Sequence, residues 1–142
     1  METTSLMTPT QHAKYWAKWH KVPFALRPDL QLLKRRLCRV AGKRFQVSWV
    51  VNKDIELGLA EILLDLGAFF KGSPSILRRG EPCDCHANAR KIAAKAIKYR
   101  QYTGLALSKD DPVWRVHSWV HGPEGIIETT EKRILYFGIP VP

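Results

Sequence analysis

Leu30, Leu33, Leu37 and Val40 recur every three or four residues, the spacing of one helix face. Pro28 suits a first helical turn and Gly42 a C-terminal cap, so the pattern predicts a helix over residues 28–41. Ile55, Leu59, Ile62, Leu63, Leu66 and Phe70 line one face of another helix, with Asp54 placed to cap its start and Gly72, Ser73 and Pro74 to stop it. Residues 11–20 read as a third helical stretch, with Tyr15, Trp16 and Trp19 to one side and Pro23 ending it; residues 1–10 read as a loose terminus. Residues 45–51 are rich in aromatic and β-branched side chains and read as a strand, with an extension of the following helix as the alternative.

Beyond residue 72 the pattern changes. A polar loop containing Gly80 and Pro82 runs to Asp84. Ala89, Ile92, Ala93, Ala96 and Ile97 then make an apolar stripe that predicts a helix from His86 to about Arg100. Short strand-like runs follow at 104–107, 113–120, 126–130 and 134–138, separated by turn residues. The fold class is α+β: a helical N-terminal half, then a helix packed on a small antiparallel sheet. Residues 11–72 and 73–142 are each small for an independent core, so the expectation is a single domain over 1–142.

Composition narrows the class. The 142 residues are 45% hydrophobic and 25% charged, which suits a folded globular chain. The net charge of +10 favours acidic partners (nucleic acid, an anionic membrane surface or an acidic protein) and does not choose among them. Lys34, Arg35, Arg36, Arg39, Lys43 and Arg44 form the densest basic cluster, and Trp16, Trp19 and Trp49 offer stacking faces. The apolar run from Ile55 to Phe70 contains Glu56, Glu61 and Asp65, so no membrane span is expected. Three cysteines, Cys38, Cys83 and Cys85, do not make a disulfide framework, and no signal peptide is read at the start. The expected compartment is a reducing cytoplasm.

Three residues could carry chemistry together. Cys85 falls at a helix start, where the positive end of the helix dipole favours a thiolate. His117 shares a strand face with Trp119, a setting suited to a general base. Glu128 lies within the apolar run Ile126-Ile127-Glu128, and a carboxylate there needs a partner. If His121 lies opposite Ile126 across a 122–125 turn, Glu128 falls on the face of His117; a slip of one residue sends it to the other side. Asn88, one helical turn from Cys85, could steady the loop or meet substrate.

The stretch His117-Ser118-Trp119-Val120, a glycine-containing turn, and Gly125-Ile126-Ile127-Glu128-Thr129-Thr130 resembles a segment of the papain/transglutaminase-like cysteine hydrolases. Cys85-His86-Ala87-Asn88-Ala89 resembles the nucleophile-bearing helix start of that group. With Tyr136-Phe137-Gly138-Ile139-Pro140, the set is similar to small bacterial and phage proteins without an assigned substrate. The resemblance covers about 80–140, and Glu128 stands where the transglutaminase pattern has Asp. It implies a papain/transglutaminase-like core, with Cys85 as nucleophile, His117 as base and then acid, Glu128 as orienter, and Asn88 and Trp119 supporting the site or the substrate. The implied activity is acyl transfer from an amide of a protein or peptide substrate (peptidase, amidase, deamidase or transglutaminase-like), without a cofactor, in the cytoplasm of a bacterial cell or phage host.

Two other readings compete. Cys83, Cys85 and His86, with His117 and His121, contain zinc-ligand types, but Cys-x-Cys-His is not a usual zinc spacing. A non-enzymatic basic binder is the stronger rival, holding nucleic acid or blocking a host protein, as an anti-defence factor does, through residues 34–44.

Overall fold

The computed structural model describes residues 28–41, 48–49 and 59–142. The terminus at 1–10, the helix at 11–20 with Trp16 and Trp19, the caps Gly42 and Asp54, the basic Lys43 and Arg44, and most of the 45–51 strand lie outside the described residues.

Helix α1, Pro28–Ala41, buries Leu33 and Leu37 completely. Val40 is exposed, so the buried stripe is narrower than the leucine spacing suggests. Lys34, Arg35 and Arg39 face solvent, while Arg36 donates to the Leu64 carbonyl at 2.9 Å and ties α1 to the next helix. After the short strand β1, Ser48–Trp49, helix α2 spans Leu59–Leu66 and buries Leu59, Ala60 and Leu63.

The second helix was expected to continue to Phe70, but it ends at Leu66. Strand β2, Ala68–Lys71, follows at once because Phe69 pairs with Phe137 across the ladder, their ring centroids 4.2 Å apart. Gly67 makes the join: a Cβ there would lie 2.4 Å from the Leu63 carbonyl oxygen. Tertiary pairing thus overrides a helical period.

Strand β3, Ser75–Leu77, forms inside the expected loop. Helix α3, Cys85–Ala93, is shorter than expected. Ile97 is fully exposed, and Tyr99 packs instead against the cluster of Ala89, Ile92, Val120 and Ile127. Four strands complete the chain: β4, Arg100–Ser108; β5, Asp111–Gly122; β6, Gly125–Glu128; and β7, Leu135–Pro140.

The strand order is β2-β7-β4-β5-β6-β3, with β1 beside β5. The fold is α+β as expected, but the sheet is mixed rather than antiparallel. β3 runs parallel to β6, and β1 parallel to β5, because both come from segments that reach the sheet across long connections. One face of the sheet carries Leu105, Leu107, Trp114, Phe137 and Ile139 against α1 and α2. On the same face α3 packs over Val120 and Ile127. The opposite face carries Trp119, Ile126 and Tyr136 with Phe70 and Tyr102.

One edge of β5 determines where the site lies. β4 pairs along nearly the whole of β5. On the other edge β1 meets Val113 and Trp114, and β6 meets Val120 to Gly122. Between them, among the described residues, the edge of β5 at 115–119 has no strand beside it, and the first turn of α3 reaches it there.

Candidate active site

Cys85 opens α3. The loop before it is held from two sides. The Asn88 side chain donates to the Glu81 carbonyl at 2.8 Å and accepts from the Glu81 N–H at 3.1 Å. Gly80 donates its N–H to the Thr129 carbonyl at 2.9 Å, linking the loop to the end of β6. Gly80 must be glycine, since a Cβ would sit 2.4 Å from Asn88 Cγ. Cys83 takes a left-handed conformation (φ 58°) at the bend.

His117 projects from β5 and is 2% exposed. Its Nε2 lies 2.7 Å from Glu128 Oε1. With Nε2 so engaged, Nδ1 is the ring nitrogen left for the hydrogen bond with the Cys85 thiol. The backbone N–H of Ser118, on the unpaired edge of β5, also donates to the Cys85 sulfur. The register is His121 opposite Ile126 and Val120 opposite Ile127, which puts Glu128 on the face of His117.

Glu128 is completely buried and fully partnered. Oε1 accepts from His117 and from the Tyr136 hydroxyl at 2.9 Å. Oε2 accepts from the N–H groups of Thr129 at 2.9 Å and Thr130 at 3.0 Å, and from the Thr130 hydroxyl at 3.0 Å. Five donors on one carboxylate offset its desolvation.

The electrostatics follow from these contacts. Burial pushes the Cys85 thiol up, but the hydrogen bond and charge of His117, helped by the Ser118 N–H, outweigh it and hold the thiol below its ordinary value. Burial pushes His117 down, but its bonds to Cys85 and Glu128 carry it above the ordinary imidazole range. Glu128 falls below the usual carboxylate range, its burial outweighed by His117, Thr130 and Tyr136. Tyr136 is raised, by burial first and by the adjacent carboxylate second, so it stays a donor.

A second polar chain lies beside the first. Thr103 donates to the His117 carbonyl at 3.4 Å, Ser118 donates to the Thr103 hydroxyl at 3.0 Å, and His86 Nδ1 meets the Ser118 hydroxyl. A carbonyl only accepts, so the chain has one direction: Thr103 gives its proton to the carbonyl, Ser118 gives its own to Thr103, and His86 carries its proton on Nδ1. The Gln101 amide donates to the His86 carbonyl at 3.5 Å and supports the start of α3.

The structure brings Cys85, His117 and Glu128 together. Asn88 and Trp119 occupy supporting positions, and neither lines the cleft over the thiol. Trp119 is fully buried, with its ring centroid 6.2 Å from that of His117 and 4.6 Å from that of Tyr136. The basic residues of α1 are not among those lining the cleft. Sequence reasoning missed Ser118, Thr103 and Thr130 as site residues. For Ser118 and Thr103 the signal was weak but present, polar side chains at buried positions of otherwise apolar strands; Thr130 lies just past β6, half-buried, and carried none. Among the described residues, no three His, Cys, Asp or Glu side chains converge as a metal-binding group.

The cleft has a volume of ≈ 890 Å³ and is lined by Cys85, His86 and His117 together with Arg79, Arg115 and Arg133. Comparison with models of protein families, with curated proteins and with solved structures finds no match for this chain.

Proposed function

We propose that this chain is a cysteine-dependent acyl-transfer enzyme acting on an amide, of papain/transglutaminase-like kind. The observation that supports it best is the continuous line Cys85–His117–Glu128, in which the thiol is shifted down while the imidazole is shifted up. Opposite shifts in two touching groups favour a thiolate–imidazolium pair near neutrality. Glu128 fixes the ring and stabilises its charge, as an orienting group does.

In the first step the Cys85 sulfur attacks the amide carbonyl carbon. A C–S bond forms, the C–N bond breaks, and the amine leaves with the proton that His117 held. The positive end of α3 favours both the thiolate and the transient oxyanion. In the second step water or an amine attacks the thioester and gives a proton to His117. A C–O or C–N bond forms and the C–S bond breaks, restoring the sulfur. No other reactant is needed.

The test is the alkylation rate of Cys85 by iodoacetamide against pH, in the parent and in His117→Ala. A thiol titrating well below ~8.5, and moving up in H117A, supports the pair. Ordinary titration indifferent to His117 overturns the reading. A second reading draws on the solvent-facing Lys34, Arg35 and Arg39 of α1, which suit an acidic protein or nucleic acid as partner.

A further inference from the structure

The charge of the cleft carries an inference about the substrate, and it rests on Cys85 being the nucleophile. Three guanidinium groups line the cleft, those of Arg79, Arg115 and Arg133. One carboxylate, Glu131, lines it with them, and that group is 3.6 Å from Arg133. Glu128 lies beneath the cleft, completely buried and engaged with His117, so it presents no negative charge to a ligand. Glu81 and Asp84 are exposed on the preceding loop but do not line the cleft.

The three cations are placed differently. Arg133 is fixed in the wall. Its Nη1 donates to the Ser108 hydroxyl at 3.1 Å, its Nη2 to the Thr130 hydroxyl at 3.3 Å, and its Nε to the Glu131 carbonyl at 3.2 Å. Arg79 is anchored by one long bond to the Thr130 carbonyl, 3.4 Å, and is otherwise exposed. Arg115 is exposed two residues before His117 on the open edge of β5. Two exposed arginines thus line the cleft together with a third that is tied into its wall. A concave site with an excess of one sign of charge concentrates the opposite sign, and guanidinium forks match carboxylate and phosphate oxygens.

We propose that the acyl donor is anionic close to the bond attacked: an amide bearing a carboxylate or a phosphate within reach of Arg79 and Arg115. A neutral peptide of the same shape is a poorer substrate.

The probe pair is iodoacetate and iodoacetamide, which differ by one negative charge. In both, the sulfur displaces iodide: an S–C bond forms and the C–I bond breaks. Rates are measured on the full chain in a Cys83→Ser background, with site assignment by peptide mass spectrometry, and are expressed as the iodoacetate/iodoacetamide ratio. N-acetylcysteine supplies the reference. The ratio cancels any general change in thiolate reactivity. The expected result is a ratio about tenfold above the reference at low salt, shrinking towards it near 1 M salt, where screening extends over only ~3 Å. In an Arg79→Gln/Arg115→Gln double variant the ratio falls towards that of the small thiol. Three outcomes overturn the proposal. If Cys85 reacts rapidly with both reagents at the reference ratio, the anionic substrate is wrong although the nucleophile stands. If the ratio is high but unmoved in R79Q/R115Q, the attraction comes from the imidazolium and not from these arginines. If Cys85 is sluggish with both reagents, the nucleophile reading has failed and the proposal falls with it. Once the ratio is established, carboxylate- and phosphate-bearing amides distinguish the two anion sources.

Discussion

Glu128 holds the site by its bonding capacity. Two donors meet Oε1 and three meet Oε2, so a glutamine in its place directs an NH₂ group at two or more donors whichever way it turns. Glu128→Gln is therefore expected to destabilise the fold by about 3 kcal/mol, measured by urea unfolding, and to raise the titration of Cys85. The sign with pH follows from the lowered carboxyl. A group held below its ordinary value of 4.5 stabilises the fold above that value, and the benefit is lost as pH falls through the folded value. The parent should lose stability more steeply than E128Q below pH 4.5. His121 shows the opposite case of a base held neutral. Its ring lies 3.9 Å from that of Tyr102 and 4.6 Å from that of Phe70, its Nε2 has no partner, and burial pushes it down to about 4. The unfolded chain binds that proton more readily between 6.5 and about 4, so stability falls as pH drops through this window. His121→Phe should remove that part of the slope at little cost near neutrality, and urea midpoints across the range check it.

The helix start and the strand edge work as a pair of elements. α3 presents Cys85 because the loop at 80–84 is clamped, by Asn88 on one side and by the Thr129 carbonyl on the other. Asn88→Ala should cost about 1–2 kcal/mol, since Glu81 reaches solvent and its freed groups find water. The larger effect is expected on chemistry: slower alkylation of Cys85 and an upward shift of its titration, as the helix start drifts from His117. A purely structural role predicts lost stability with unchanged titration, so the two readouts separate. At this scale the sequence was legible where contacts are local. The two-residue turn at Pro123-Glu124 sets the β5–β6 register, and strand alternation then places His117 and Glu128 on one face. It was illegible where contacts are distant. Ser75–Leu77 read as loop because its partner, Ile126–Glu128, lies some fifty residues away in a parallel ladder. Phe69 and Phe70 read as helix because the 3.6-residue period of α2 runs on smoothly into β2.

Across the whole molecule, charge and site point the same way without being the same feature. Cys85, His117 and Glu128 could be picked out because each breaks a local rule: a thiol at a helix start, a histidine and a carboxylate on buried strand positions. The arginines of the cleft could not, because Arg79, Arg115 and Arg133 are far apart in sequence, and only the fold assembles them. The net charge of +10 therefore has more than one seat. Lys34, Arg35 and Arg39 lie on the outer side of α1, whose inner side is pinned by Leu33 and Leu37. If α1 is itself a polyanion surface, retention on immobilised heparin should fall steeply with salt, as phosphate-like contacts do. The triple variant Lys34→Gln/Arg35→Gln/Arg39→Gln should elute at markedly lower salt than the parent, and its shift per charge removed should exceed that of Arg79→Gln/Arg115→Gln. Equal shifts for equal charge change would mean that only net charge matters. In that case α1 is an ordinary solvated helix face, and heparin retention reports the net charge of +10 alone.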